Sequence, residues 1–161
     1  MRTYEGRRTE FGCVVTVDGQ PLDPRLDLVS HCPQGFEWGY ARGTGSAQLA
    51  LAIVVDHCHH VVADLYRHPG GGMSVDGLPL TRRAALQAVE DTAVKGHLMF
   101  KAMVTSRLPL DHWIMTAADV SKVLCRIGEA TIGEGGRPTT AHGVLAVMAE
   151  GTAPPSSEEP S

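Results

Sequence analysis

The chain has 161 residues, of which 43% are apolar and 20% charged, and its formal net charge is −4. A chain of this length buries roughly 70% of the surface its unfolded form exposes, so its core needs neither a disulfide nor a metal. The slight negative charge argues against a dedicated nucleic-acid binder, which presents a basic face.

Residues 3–29 read as β structure. Thr3-Tyr4-Glu5 is a first strand, paired with one after Phe11, and the β-branched run Gly12-Cys13-Val14-Val15-Thr16-Val17 is the second. Asp18-Gly19 is a type I′ turn signal, because glycine tolerates positive φ. Pro21 and Pro24 put the return strand at an edge, and Leu26 to Val29 reads as a further extended segment.

A first helix is expected to start at Ser46 or Ala47, with Gly45 or Ser46 as its cap, and to run to about Arg67. Only Gln48 interrupts its apolar run from Ala47 to Val55. A helix apolar all round is a central one. Residues 68–80 read as a loop broken by Pro69, glycines and Pro79. Thr81 caps a second helix through Thr105 or Ser106, with Leu86, Val89, Ala93, Phe100 and Val104 on one face and Gly96 offering close helix contact. Thr116-x-x-Asp119 resembles a capping box ahead of a third helix that carries Val120, Val123, Leu124 and Ile127 and closes at Gly128. The expected fold class is α+β: a small N-terminal antiparallel β-sheet packed on a central apolar helix and two further helices. One domain is expected over 1–128. A Gly/Pro-rich tail follows over 129–161, with a short helix near 140–149 and a disordered end.

The four cysteines, Cys13, Cys32, Cys58 and Cys125, form no C-x-x-C pair, which excludes a zinc ribbon or a thioredoxin-like motif. The N-terminus has no apolar signal segment, and the longest apolar run, Leu49 to Val55, is far short of the roughly 20 residues that cross a bilayer. A cytoplasmic chain with reduced thiols and no membrane partner is the expectation.

Gly35 to Val55, G-F-E-W-G-Y-A-R-G-T-G-S-A-Q-L-A-L-A-I-V-V, is the most informative stretch. It resembles a block close to G-F-x-W-G-Y-x-G-S-G-P-A-Q-L-A-L-A-I carried by an uncharacterised family of short bacterial, plasmid and phage proteins. The resemblance extends to the N-terminal hairpin and to Phe100–Val120, where Phe100, Lys101, Leu108, Pro109, Trp113 and Thr116 match. Ser46 replaces the family's usual proline, and the glycine loop at 68–77 is extra material. The family has no assigned activity, so the resemblance transfers no catalytic residue. It implies an accessory role on a mobile element.

Three constellations could carry chemistry. In the first, Trp38, Tyr40, Arg42, Gly43, Thr44, Gly45 and Ser46 form a glycine-spaced loop before a helix. Backbone N–H groups and the positive helix end there suit a phosphate or carboxylate, with Arg42 as a bidentate partner and Trp38 or Tyr40 stacking on a ring. The loop lacks the G-K-[ST] ending of a P-loop, and its aromatics could equally pack under the hairpin. In the second, Asp56, His60 and Asp64 recur at four-residue spacing on one helix face, within a run that includes His57, Cys58, His59 and His68. Such a set can ligate a metal, although it is not H-E-x-x-H, and polar or cationic residues also suit a helix C-terminus. In the third, Cys58, Cys13 and Ser46 are candidate nucleophiles without a visible spatial partner.

The leading expectation is a small non-enzymatic binding protein. Its anion- or nucleotide-like ligand, or a protein partner, would engage loop 38–46, and no cofactor is implied. A metal-dependent hydrolase using Asp56, His60 and Asp64 is a second reading. An oligomeric protein-interaction module is the third.

Overall fold

A computed structural model describes residues 1–132 of the chain. Four strands, β1 (Thr3–Thr9), β2 (Gly12–Val17), β3 (Gln20–Pro21) and, late in the chain, β6 (His112–Thr116), form one antiparallel sheet in the order β3-β2-β1-β6. Asp18 and Gly19 both have positive φ, as the turn signal requires, and β3 is an edge strand of two residues. Residues 26–28, expected to be extended, instead form a turn closed by the Leu28 N–H donating to the Arg25 carbonyl.

The inner face of the sheet follows from alternation. Tyr4 pairs with Val17 and Met115, and Gly6 with Val15 and Trp113. All of these except glycine bring apolar surface to the core, and the glycine has its own reason. A Cβ at Gly6 would lie 2.3 Å from the Trp113 ring, so the indole occupies the space of the missing side chain.

The central helix, α1 (Thr44–Leu65), is buried without interruption from Gly45 to Val55, as its apolar circumference predicts. It starts two residues earlier than expected, at Thr44, with Gly43 as its extended N-cap, and it ends at Leu65 rather than Arg67. Gln48, the polar interruption, is fully buried and holds the chain that precedes the helix. Its Nε2 donates to the carbonyls of Pro24 (2.6 Å) and Val29 (3.0 Å), and its Oε1 accepts from the N–H groups of His31 (2.7 Å) and Cys32 (3.2 Å). A buried primary amide with its donors and acceptor engaged costs little.

Residues 68–80 are not all loop. Strands β4 (Ser74–Val75) and β5 (Leu78–Pro79) form a small ribbon about Asp76 and Gly77, again with positive φ at both turn residues. Met73 is buried, and the Tyr66 hydroxyl, which donates to the Leu80 carbonyl at 2.8 Å, ties the ribbon to the end of α1. Helix α2 (Arg82–Met103) is capped by Thr81, whose hydroxyl accepts from the Ala84 N–H, and it buries Ala85, Val89, Ala93 and Phe100. A Cβ on Gly96 would meet nothing within 4 Å, so the expected close helix contact is absent there. After a single 3-10 turn at Thr105–Arg107 and β6, the capping box forms as read. The Asp119 carboxylate accepts from the Thr116 N–H at 2.9 Å, and the Asp119 N–H donates to the Thr116 hydroxyl at 3.3 Å. Helix α3 (Ala117–Ile132) buries Val120, Leu124 and Ile127 and continues past Gly128, which therefore does not close it. The expected domain limit at 128 falls inside this helix, and the expected short helix at 140–149 lies outside the described residues.

The result is an α+β fold, with the sheet on one side of α1 and α2 and α3 packed around the rest of it. No helix among the described residues is long and apolar enough to cross a membrane.

Candidate functional site

At the start of α1, residues 38–46 meet residues 105–113. Trp38 is fully buried, and its Nε1 donates to the carbonyls of Pro109 (2.9 Å) and Leu110 (3.0 Å). Trp113 meets it edge-on, with ring centroids 5.7 Å apart, and the Arg8 guanidinium lies 5.5 Å from its ring centre. Trp38 is thus a packed wall and offers no open face on which a ligand ring could stack. The backbone beside it is fixed too. The Gly39 N–H donates to the Thr105 carbonyl at 2.9 Å, and the Thr105 hydroxyl donates to the Ser46 carbonyl at 2.8 Å.

Tyr40, Arg42 and Thr44 remain exposed, Gly43 is half-buried, and Gly45 and Ser46 are buried in the first turn of the helix. Gly45 is helical, so its requirement for glycine is not a positive φ but close approach: a Cβ there would lie 2.7 Å from the Glu37 backbone nitrogen. The Gly43 cap provides no side-chain bond to the first N–H groups of α1, and the first turn contains no acidic residue. The partial positive charge of this helix end is therefore not answered by a cap or an acid of its own first turn.

Beside this loop lies a cleft of about 540 Å³ lined by Ala41, Leu98, Lys101, Ala102, Ser106 and Arg107. Leu98, Lys101 and Ala102 share a face of α2 by their spacing. The Ser106 hydroxyl donates to the Lys101 carbonyl at 2.9 Å and so ties the 3-10 turn to the helix end. Among the described residues, no carboxylate lies within ion-pair distance of Arg42, Lys101 or Arg107. Lys101 and Arg107 were not singled out as site residues from sequence. Nothing local in the sequence places Lys101 beside residue 41.

The second half of α1 holds its charges differently. Asp56 accepts from Arg2 Nε at 2.8 Å, from Arg2 Nη2 at 2.7 Å and from the Tyr4 hydroxyl at 2.8 Å. Burial, reinforced by the Asp56 charge, pushes the Tyr4 pKa up and keeps that hydroxyl a donor. His60 and Asp64 pair with each other at 3.4 Å, and Asp64 also meets Arg67 at 2.8 Å. The candidate metal set of Asp56, His60 and Asp64 is therefore not assembled, and among the described residues no group of three potential ligands converges. His59 Nε2 lies 2.9 Å from the Glu90 carboxylate, which also pairs with Arg25 at 2.8 Å. His57 is fully buried, with its Nε2 3.0 Å from the Ser121 hydroxyl of α3, and burial pulls its pKa down to about 4.

A second cleft, of about 600 Å³, lies over this half of α1 and is lined by Asp23, Arg25, Asp27, Val55, Asp56 and His59. Its charges are engaged with one another. Arg25 forks onto Asp27 at 2.9 Å, its N–H donates to Asp23 at 2.8 Å, and its guanidinium reaches Glu90. The candidate nucleophiles fare no better. Burial pushes the Cys58 thiol up to about 12, burial raises Cys13 as well, and the Ser46 hydroxyl faces the Tyr40 carbonyl at 3.5 Å. A thiol raised in this way is no thiolate near neutrality.

A family of unknown function (DUF6166) has a model that matches residues 4–69 of this chain, from the first strand to just beyond the end of α1. No curated protein and no solved structure matches the chain.

Proposed function

We propose that this protein is a small binding module whose ligand presents an anionic group, a phosphate or carboxylate, to the cleft between Ala41 and the end of α2. One observation carries the reading: Lys101 and Arg107 line that cleft with no carboxylate in reach among the described residues, beside a helix start that lacks a side-chain cap. A cation left without an internal partner beside the positive end of a helix favours an external anion. Arg42, next in the chain to Ala41, adds a third positive charge. The apolar wall of Leu98 and Ala102 suits a ligand that also has a hydrophobic or ring portion, such as a nucleotide. Trp38 leaves the proposed contact set and supports the loop from beneath.

A second reading, a protein partner, is favoured by the exposed Tyr40, Leu98, Met99 and Leu110 in the loop and neighbouring segments. The resemblance to plasmid and phage proteins makes an accessory role on a mobile element the setting proposed for either.

The test is thermal shift of the wild type, Arg42→Ala, Lys101→Ala and Arg107→Ala against nucleotides, cyclic nucleotides and phosphorylated sugars. A ligand at a hundred times its dissociation constant stabilises the native state by about 2.7 kcal/mol. The expected result is a wild-type shift that falls in all three variants, while their unliganded melting temperatures stay close to wild type. No shift with any anion, or a shift that all three variants retain, would refute the anion site.

A further inference from the structure

The segment between β3 and α1, residues 22–43, contains no helix or strand, yet much of it lies close against the core. Polar fastenings hold it there. Gln48 of α1 grips its middle, as described above. Two more come from α2: Glu90, which binds Arg25, and His97, which faces His31. Glu90 and His97 are seven residues apart, two turns along one helix face.

The His31–His97 contact has a defined proton arrangement. The rings meet Nε2 to Nε2 at 2.8 Å, and His97 Nδ1 lies 2.8 Å from the Val94 carbonyl. A carbonyl only accepts, so His97 Nδ1 carries the proton and its Nε2 is bare when the ring is neutral. His31 Nε2–H must then donate to it. One added proton leaves this bond in place, because the two facing Nε2 atoms still share a single proton. A second has only His97 Nε2 to occupy, and two N–H groups would then face each other across 2.8 Å with both rings positive.

We propose that the His31–His97 pair is a pH-sensitive latch, which holds the strap of residues 22–43 on α2 and releases it when both rings are protonated. The inference stands apart from the anion reading, since it concerns the strap and needs no ligand. Its surroundings favour a sharp release. His97 is almost completely buried, and burial holds it below the usual histidine range, with His31 the one titratable group that acts on it. On α1 no titratable side chain precedes Asp56. On α2 the charged residues along the same face are Glu90, two turns back, and Lys101, one turn on. On the strap itself Arg25 and Asp27 pair with each other. Of the strap's other acids, Asp23 accepts from the Arg25 N–H and Glu37 lies against Gly45, and among the described residues no carboxylate is hydrogen-bonded to or ion-paired with either ring.

Hydrogen exchange of the full chain, read by mass spectrometry and corrected for intrinsic rates, tests this between about pH 7.5 and about pH 4, a window that reaches below the usual histidine range as the lowered His97 requires. Peptides covering residues 24–37 should lose roughly tenfold or more in protection as pH falls, while α1 peptides, whose protection follows only the global stability, stay the more protected at every pH, the signature of local opening. His97→Gln and, at the less buried end, His31→Gln should each make strap protection independent of pH. Ring-carbon NMR titration of the wild type gives a reading that needs no variant: the loss of protection should follow the protonation of His97. Unchanged strap protection down to about pH 4 would overturn the latch. So would an acid loss that persists in a folded variant, or one that does not follow the His97 titration.

Discussion

The two halves of α1 each drew a functional reading from sequence, and they treat charge in opposite ways. At the Asp56–Leu65 end, Asp56, His59 and Asp64 each have an ionic partner within the fold, and His57 is buried neutral against α3. At the Thr44 end, Arg42, Lys101 and Arg107 stand without a carboxylate among the described residues. A cluster of ligand-type residues is thus a poor guide to a site when each member is consumed internally. Cations left open beside a helix start are a better reason to look for a ligand, because no ion pair among the described residues accounts for them.

The largest effect expected from this contrast is on the acid side. His57 has a folded pKa near 4 against an ordinary 6.5, so the unfolded chain takes up a proton that the fold refuses. Its contribution is complete above pH 6.5 and is lost as pH falls toward 4, about 3 kcal/mol in all. Urea unfolding across that range should show at least this loss, and the His57 ring resonances should stay unprotonated at pH 5. A ring titrating near 6.5 would contradict its burial.

Asp56→Ala should come next, at about 2 kcal/mol, because it leaves the Arg2 guanidinium only the longer contact with Asp18, at 3.4 Å, and leaves the buried Tyr4 hydroxyl without its acceptor. Denaturant midpoints measure it, and a variant as stable as wild type would erase the contrast between the two halves. Gly45→Val should cost a similar amount, about 2 kcal/mol, through collision with Glu37 rather than through backbone conformation. Gly45→Ala should then be damaging as well, since the first added carbon already meets the Glu37 backbone. An Ala variant as stable as wild type would disprove that reading. The smallest effect belongs to the open end: Lys101→Ala and Arg107→Ala should change stability by less than about 0.5 kcal/mol. Larger losses would show these cations to be structural, like their counterparts at the other end.

What the sequence determined by itself was what depends on near neighbours. The unbroken apolar circumference of Leu49–Val55 makes α1 central wherever it packs. Thr81 and the Thr116–Asp119 pair cap their helices through bonds to residues three positions away, and Asp18-Gly19 turns the chain with its own φ angles. The same local chemistry at Asp76-Gly77 makes the β4–β5 turn, so that ribbon was legible although residues 68–80 read as loop. Tertiary structure alone decided the rest, because its partners are far apart in the chain. Strand β6 exists by pairing with β1, about a hundred residues earlier, and its five residues have no turn to announce them. Asp56 was one candidate metal ligand until Arg2 and Tyr4 were brought to it, and Trp38 was open between stacking on a ligand and packing under the hairpin until the Pro109 and Leu110 carbonyls met it. Gln48, His31 and His97 were single polar residues in the sequence. Burial obliges each polar group to find a partner, but only the folded chain says which one.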